Sequence, residues 1–255
     1  MSQAPGSLRA LLSNLIDYAG LYPPAALSLP VAIENYRQYL ASPESWILNR
    51  LVLPFSKLDD VDIGENWRVT LLVDAEPGPL PRQVESLETR LAVKLSRPTY
   101  CEAPLDQIAG AFAKVRTGAL TVNAIPTPGE IAEFLCEAAA RRVPFKATAG
   151  LHHPLRGSHS LTYAADSPRA ILHGFINVFI AAAYAWHGMG HAAVAGVLHE
   201  CDPDSFEFSD DAITWRGRSL SAAQIAAARR EFAHSFGSCS FEEPVGDLKM
   251  LGWLQ

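Results

Sequence analysis

Two lysines carry the strongest chemical signal in the chain. Lys114 lies in FAKVRTG and Lys146 in PFKATAG, 32 residues apart. Each follows an apolar strand start, and each precedes a threonine and then a glycine. One βα unit takes roughly that length, so the pair predicts adjacent parallel strands, with both side chains directed into one pocket at the strands' C-terminal ends. Two ammonium groups held close repel, which drives one of them toward its neutral form. A neutral amine attacks a carbonyl carbon and forms a Schiff base. The plainer alternative is a pair of structural lysines neutralised by carboxylates.

Other groups fall near these two. Glu102 closes the extended run Thr99 to Glu102, and Glu88 closes VESLE one run earlier. In a barrel either could relay a proton to the lysines or simply neutralise one. Asp17, in DYAGLYPP, and Asp74, ending RVTLLVDA, are weaker candidates because turn formation explains them as well. Arg116, on the Lys114 strand, and Arg156 could clamp a carboxylate or phosphate, although Arg116 could equally pair with Glu102. His152 and His153 directly follow the Lys146 strand, where a barrel loop faces substrate. Neighbouring residues in an extended loop point apart, so each reads separately as an acid–base group, a substrate partner or a loop cap. The run GSCSFEEP (237–244) is expected beside the barrel mouth. Its Cys239, Glu242 and Glu243 could join His152 as mixed metal ligands, but the spacing matches no familiar metal motif, and a lid or packing loop fits better. His187 and His191 are four apart, yet Gly188 and Gly190 break the helix that would align them. GxSxG, P-loop and HExxH motifs are absent from the sequence, which removes the usual support for those hydrolase and nucleotide-binding classes.

A rhythm of short apolar run, turn and amphipathic segment positions these residues. Extended segments are expected at 14–21, 46–54, 68–75, 84–88, 91–96, 99–102, 112–118 and 143–150. Residues 175–179 are either a further strand before an Ala-rich helix or part of one helix throughout. Pro30 opens a helix whose stripe is Ile33, Tyr36 and Leu40. The best helix signal is Thr127-Pro128 with Glu130, a capping box, followed by Ile131, Phe134, Leu135 and Ala138 on one face. Phe206 to Trp215 reads as a hairpin turning at 209–211. Ser221 with Gln224 caps a helix running to about His234, and the chain ends in a loop and a short helix. About eight strands with intervening helices predict an α/β fold, a single-domain (β/α)₈ TIM-type barrel with residues about 187–255 as a C-terminal extension. An open doubly wound sheet is the alternative, without its GxGxxG fingerprint.

The stretch KVRTGALTVNAIPTPGEIAEFL, followed by VPFKATAGL, resembles the sixth and seventh strands of deoxyribose-phosphate aldolases, with their KxSTG and KxxGG stretches. The resemblance covers about residues 112–151. It implies a class I aldolase on a (β/α)₈ barrel, with Lys114 as the Schiff-base lysine, Lys146 as the second, pKa-lowering lysine and an aspartate on an earlier strand, not aligned to a particular residue here, as proton relay. Two departures bear on substrate. The serine before Thr-Gly is Arg116 here, and the phosphate-binding glycine turn reads Ala149-Gly150-Leu151-His152-His153, so the resemblance implies neither a phosphorylated substrate nor the deoxyribose reaction itself. The run FKATAGLHHP also resembles one shared by a group of bacterial proteins, and that likeness implies no activity.

Composition frames the rest. The 255 residues are 49% hydrophobic and 19% charged, with net charge −6, 17 Gly and 18 Pro. That excludes a disordered or collagen-like chain and offers no basic surface for nucleic acid or membrane. No apolar run reaches transmembrane length and no signal peptide is visible. Cys101, Cys136, Cys201 and Cys239 are far apart, which reads as reduced thiols of a cytoplasmic protein. The expected function is an aldolase-type, Schiff-base lyase acting on a small carbonyl compound without a cofactor or metal. Lys114, Lys146 and Glu102 would be catalytic, and Arg116, Thr117, His152, His153 and Glu88 would bind substrate. The alternatives are a metal-dependent lyase or hydrolase using His152, His153, Glu102 and Cys239, and a non-catalytic barrel that binds a small anion. A homo-oligomer is compatible with this composition.

Overall fold

Eight parallel strands close on themselves. In the computed structural model, which describes residues 4–76, 78–108 and 110–255, the barrel comprises β1 (Ile16–Tyr18), β2 (Leu48–Pro54), β3 (Val69–Leu72), β4 (Val84–Thr89), β5 (Thr99–Cys101), β6 (Phe112–Arg116) and β7 (Phe145–Thr148). It is completed by β13 (Ala233–Ser238), which pairs with both β7 and β1. This is the TIM-type α/β architecture that the βα rhythm predicts. Between β7 and β13 lie a two-stranded hairpin, β8 (Gly157–Ser160) and β9 (Arg169–Leu172), and an antiparallel sheet of β10 (Phe206–Phe208), β11 (Ala212–Trp215) and β12 (Arg218–Ser221).

The helices are α1 (Gly6–Leu12), α2 (Leu29–Leu40), α3 (Pro128–Ala140), α4 (Phe175–Trp186), α5 (His191–His199), α6 (Ala222–Glu231) and α7 (Glu242–Met250). The capping box that starts α3 is formed: the Glu130 amide donates to Thr127 Oγ1 at 3.2 Å and the Thr127 amide donates to Glu130 Oε2 at 2.7 Å. Its buried face is Ile131, Ala132, Leu135, Ala138 and Ala139. Helix α4 is buried at every position from Phe175 to Ala185, because it packs on α3, α5 and α6 as well as on β13. A helix apolar on all sides belongs in such a place. Its amide side chain, Asn177, is satisfied within the protein: Nδ2 donates to the carbonyls of Val197 (2.8 Å) and Glu200 (2.9 Å), and Oδ1 accepts from the Arg156 amide at 2.9 Å. Among the described residues no helix is long and apolar enough to cross a membrane.

Of the two readings of residues 175–179, one helix throughout is the one that forms, for the packing reason just given. The structure differs from the sequence reading in three places. The run 91–96 is not a strand; the barrel already closes with eight strands, and Leu91 is left 67% exposed. The eighth strand is β13, inside the segment expected to be an extension beyond the barrel. The α6 period reads on through it to His234, and AHSFGS lacks an apolar run because one of its faces meets a polar interior. The hairpin β8–β9 carries no apolar run in β8, whose less exposed positions are Gly157 and His159, while β9 buries only Ala170 and Leu172. The hairpin turning at 209–211 forms as expected and gains a third strand, β12.

Arg229 of α6 fastens the barrel seam. Its guanidinium donates to the carbonyls of Leu11 (2.8 Å), Ser13 (3.1 Å) and Asn14 (3.3 Å) before β1, and to those of Ala233 and His234 (2.6 Å) in β13. Replacing Arg229 with Ala leaves these carbonyls without their donor and removes hydrogen bonds to a charged group. We expect a loss of about 3 kcal/mol or more, read as a lower urea midpoint for the whole barrel.

Candidate active site

The barrel interior carries a buried ionic cluster. Lys114 and Lys146 are direct register partners on β6 and β7. The Glu88 carboxylate, on β4, bridges them: Oε2 accepts from Lys114 Nζ at 3.1 Å, and Oε1 accepts from Lys146 Nζ. Lys146 also donates to Asp17 Oδ2 on β1 at 2.5 Å. Asp17 in turn accepts from Ser235 Oγ of β13 (2.8 Å) and, through Oδ1, from Asn49 Nδ2 of β2 (2.6 Å), with Arg50 Nη1 3.9 Å away. The four ionic side chains are between 0% and 7% exposed.

Burial sets the charge states against the partners. It pushes the carboxyls of Asp17 and Glu88 up, but Lys146, with Arg50 at Asp17 and Lys114 at Glu88, holds both below their ordinary values. Burial likewise pushes Lys146 down, and Asp17 and Glu88 more than reverse this, so its pKa is raised. Lys146 is therefore held in its charged form.

Above the cluster opens a cavity of about 610 Å³. Lys114 and Glu88 reach it from the floor, and Lys114 is the sole lysine among the described lining residues. Lys146 is not in the lining; it lies beneath, so the expectation that both lysines enter the pocket is met by Lys114 alone. Glu102, just past β5, borders the cavity and is held by Arg116 Nε at 2.5 Å, with Lys114 Nζ 3.5 Å away. Arg116, Arg90 and Arg169 also border it.

Thr117 does not join the lining. Its hydroxyl donates to the Ala149 carbonyl at 2.7 Å, tying together the loops after β6 and β7. The matching glycines of those loops have a backbone reason: a Cβ on Gly118 would sit 2.7 Å from the Gly150 Cα, and Gly150 has φ +75°. Asp74 caps a turn through the Ser56 amide and hydroxyl, and neither it nor Arg156 lines the cavity.

The rim comes from the hairpin β8–β9 and from GSCSFEEP. His152 and His153 both turn to α7, where Glu243 and Asp247 stand one helical turn apart. His152 Nδ1 meets Glu243 Oε2 at 3.0 Å, and His153 Nδ1 meets Asp247 Oδ2 at 2.6 Å. His153 also stacks on His159, with ring centroids 3.5 Å apart. Burial and the neighbouring His153 push His159 down to about 4. On its other nitrogen, His152 Nε2 faces Cys239 Sγ at 3.9 Å. The imidazole thus stands between thiol and carboxylate, so His152, Cys239 and Glu243 do not converge on one ion. Glu102 is engaged by Arg116 instead. Among the described residues no group of three or more His, Cys, Asp or Glu side chains is placed to hold a metal.

Sequence reasoning ranked Asp17 low and passed over Asn49, Ser235, Tyr163 and Asp247. The four-residue spacing of Glu243 and Asp247 on α7 was a usable signal of one polar helix face; the partners of Asp17 offered none.

The cluster predicts a specific pH response. Lys146→Met leaves Asp17 and Glu88 without their main partner, which costs about 3–5 kcal/mol at neutral pH, and Asp17→Asn in the same chain recovers part of it. In the native protein Asp17 and Glu88 titrate below 3.8 and 4.5. Their contribution is therefore present above those values and is lost only as the pH falls through the lower folded values. That of Lys146 is complete below 10.5 and is lost as the pH rises through its higher folded value. Without Lys146, burial dominates and the carboxyls take up protons on folding. Urea unfolding of Lys146→Met should then show stability rising from pH 7 to pH 5, where the native cluster contributes a constant amount. Comparison with family models, with curated proteins and with solved structures gives no significant match to this chain.

Proposed function

We propose that the protein is a Schiff-base lyase that makes or breaks a carbon–carbon bond in a small carbonyl compound, with Lys114 as the nucleophile. One observation carries this reading: the sole lysine lining the cavity is joined through a single carboxylate to a second, permanently charged lysine on the next strand. Attack on a carbonyl needs the amine lone pair, so a proton must leave Nζ. Glu88 Oε2, at 3.1 Å, is in reach to take it and to return it to the departing hydroxyl as the carbinolamine loses water. Glu102, at 3.5 Å, is the second carboxylate within range. The relay role expected of Glu102 therefore falls first to Glu88, a glutamate where the aldolase resemblance implies an aspartate. Lys146, fixed by Asp17 and Glu88, supplies a constant positive charge below the reacting nitrogen. The imine then serves as the electron sink for breaking or forming the adjacent bond.

A second reading, a barrel that binds a small anion without turnover, draws on Arg90, Arg116 and Arg169 at the rim. Under the lyase reading the same arginines accept an anionic substituent of the substrate.

Borohydride reduction with a panel of small aldehydes and ketones at neutral pH, followed by peptide mass spectrometry, separates the two. The lyase reading expects label at Lys114, none after Lys114→Met, and trapping slowed about 100-fold or more in Glu88→Gln. Lys57 and Lys249, exposed and paired with Asp60 and Glu44, and Lys94 should stay unlabelled. Label spread evenly over the lysines, or absent from Lys114, overturns it and leaves anion binding.

A further inference from the structure

The cavity has a second set of groups arranged for nucleophilic chemistry, on the wall opposite its ionic floor. Cys239 follows β13 directly and lines the cavity, as do His152, Glu243 and Tyr163. The three groups Cys239, His152 and Glu243 stand in line: Sγ to Nε2 3.9 Å, then Nδ1 to Oε2 3.0 Å. That is the order nucleophile, base, orienting carboxylate. Glu243 is itself fixed, since Tyr163 donates its hydroxyl to Oε2 at 3.1 Å while lying 3.7 Å from Sγ. The order distinguishes this thiol from the other three. Cys101 is buried with its Sγ donating to the Val93 carbonyl, Cys201 is exposed with its Sγ donating to the His199 carbonyl, and Cys136 is half-buried on α3.

We infer that Cys239 is a second nucleophile of this cavity, activated by His152 and oriented through Glu243, and that it captures an aldehyde carbon as a thiohemiacetal. The inference rests on the Schiff-base reading for its substrate class: a lyase that joins an imine-derived donor to a small aldehyde needs a place for the aldehyde. In the step, Sγ bonds to the carbonyl carbon, the C=O π pair moves onto oxygen, and that oxygen takes the proton held by His152 Nε2. No oxidant or reductant enters, and reversal releases the free aldehyde beside Lys114. The electrostatics agree with the geometry. Burial pushes the thiol up, but His152 brings it below its ordinary value, and Cys239 and Glu243 together overcome the effect of burial on His152 and raise it to about 9.

The test is alkylation of the native protein by iodoacetamide at pH 7, followed residue by residue by mass spectrometry. Cys239 should react at least ~10-fold faster than the exposed Cys201, and His152→Gln should remove most of that advantage. Cys239 reacting no faster than Cys201 overturns the proposal without recourse to any variant. Saturating propanal should slow alkylation of Cys239 several-fold in the native protein and equally in Lys114→Met. Slowing confined to the native protein, or none in either, places the aldehyde elsewhere and overturns its capture by the thiol. A fast Cys239 together with absent borohydride label at Lys114 would instead overturn the amine reading alone.

Discussion

The Glu88 carboxylate gives one oxygen to Lys114 and the other to Lys146, and the geometry of the barrel interior follows from that bridge. Two carboxylates, Asp17 and Glu88, face two ammonium groups in a space nearly closed to water. Leaving any one of them alone would be severely unfavourable. The requirement fixes register on four strands at once. A slip of one residue on β6 or β7 would turn its lysine to the outer face, where Ala113, Val115, Phe145 and Ala147 pack against the helices. The cluster is thus both an element of the fold and the floor of the cavity.

Floor and rim are built differently. The floor side chains come from barrel strands and are tied to one another by short ionic bonds. The rim is assembled from the hairpin β8–β9, the His152–His153 loop and α7, with imidazole–carboxylate pairs as fasteners. Groups on the strands keep their separations through the sheet's own hydrogen bonds, while the rim depends on contacts between separate segments. A substrate bound here would meet a fixed ionic base below and an assembled wall of thiol, imidazole and phenol above.

Much of this was legible in the chain. The β6–α3–β7 unit announces itself through Lys114, the Thr127–Glu130 capping box and Lys146, all within one local stretch whose apolar period is undisturbed. The closing strand β13 was not legible, because a strand facing a polar interior through Ser235 and Gly237 carries no hydrophobic run. Asp17 looked like a turn residue for a similar reason: its meaning comes from Lys146, 129 positions away, and Ser235, 218 positions away. Local pattern can show that Lys146 needs a counter-charge, but it cannot say which carboxylate the closed barrel will bring. The Cys239–His152–Glu243 line was visible as a cluster of polar residues, yet its order, with the imidazole in the middle, exists only in three dimensions.

The pairing of the first strand with the last has a consequence for how the chain is made. Asp17 leaves the ribosome well before Ser235, which lies 218 positions later in the chain. Until then β1 has no second neighbour, the barrel has an open seam, and the Lys146–Asp17 bond must form in a site still accessible to water. Such long sequence separations delay closure until β13 is available. The ionic floor is therefore absent from every nascent intermediate that lacks β13, which makes the unclosed edges of β1 and β7 the surfaces most in need of protection during synthesis.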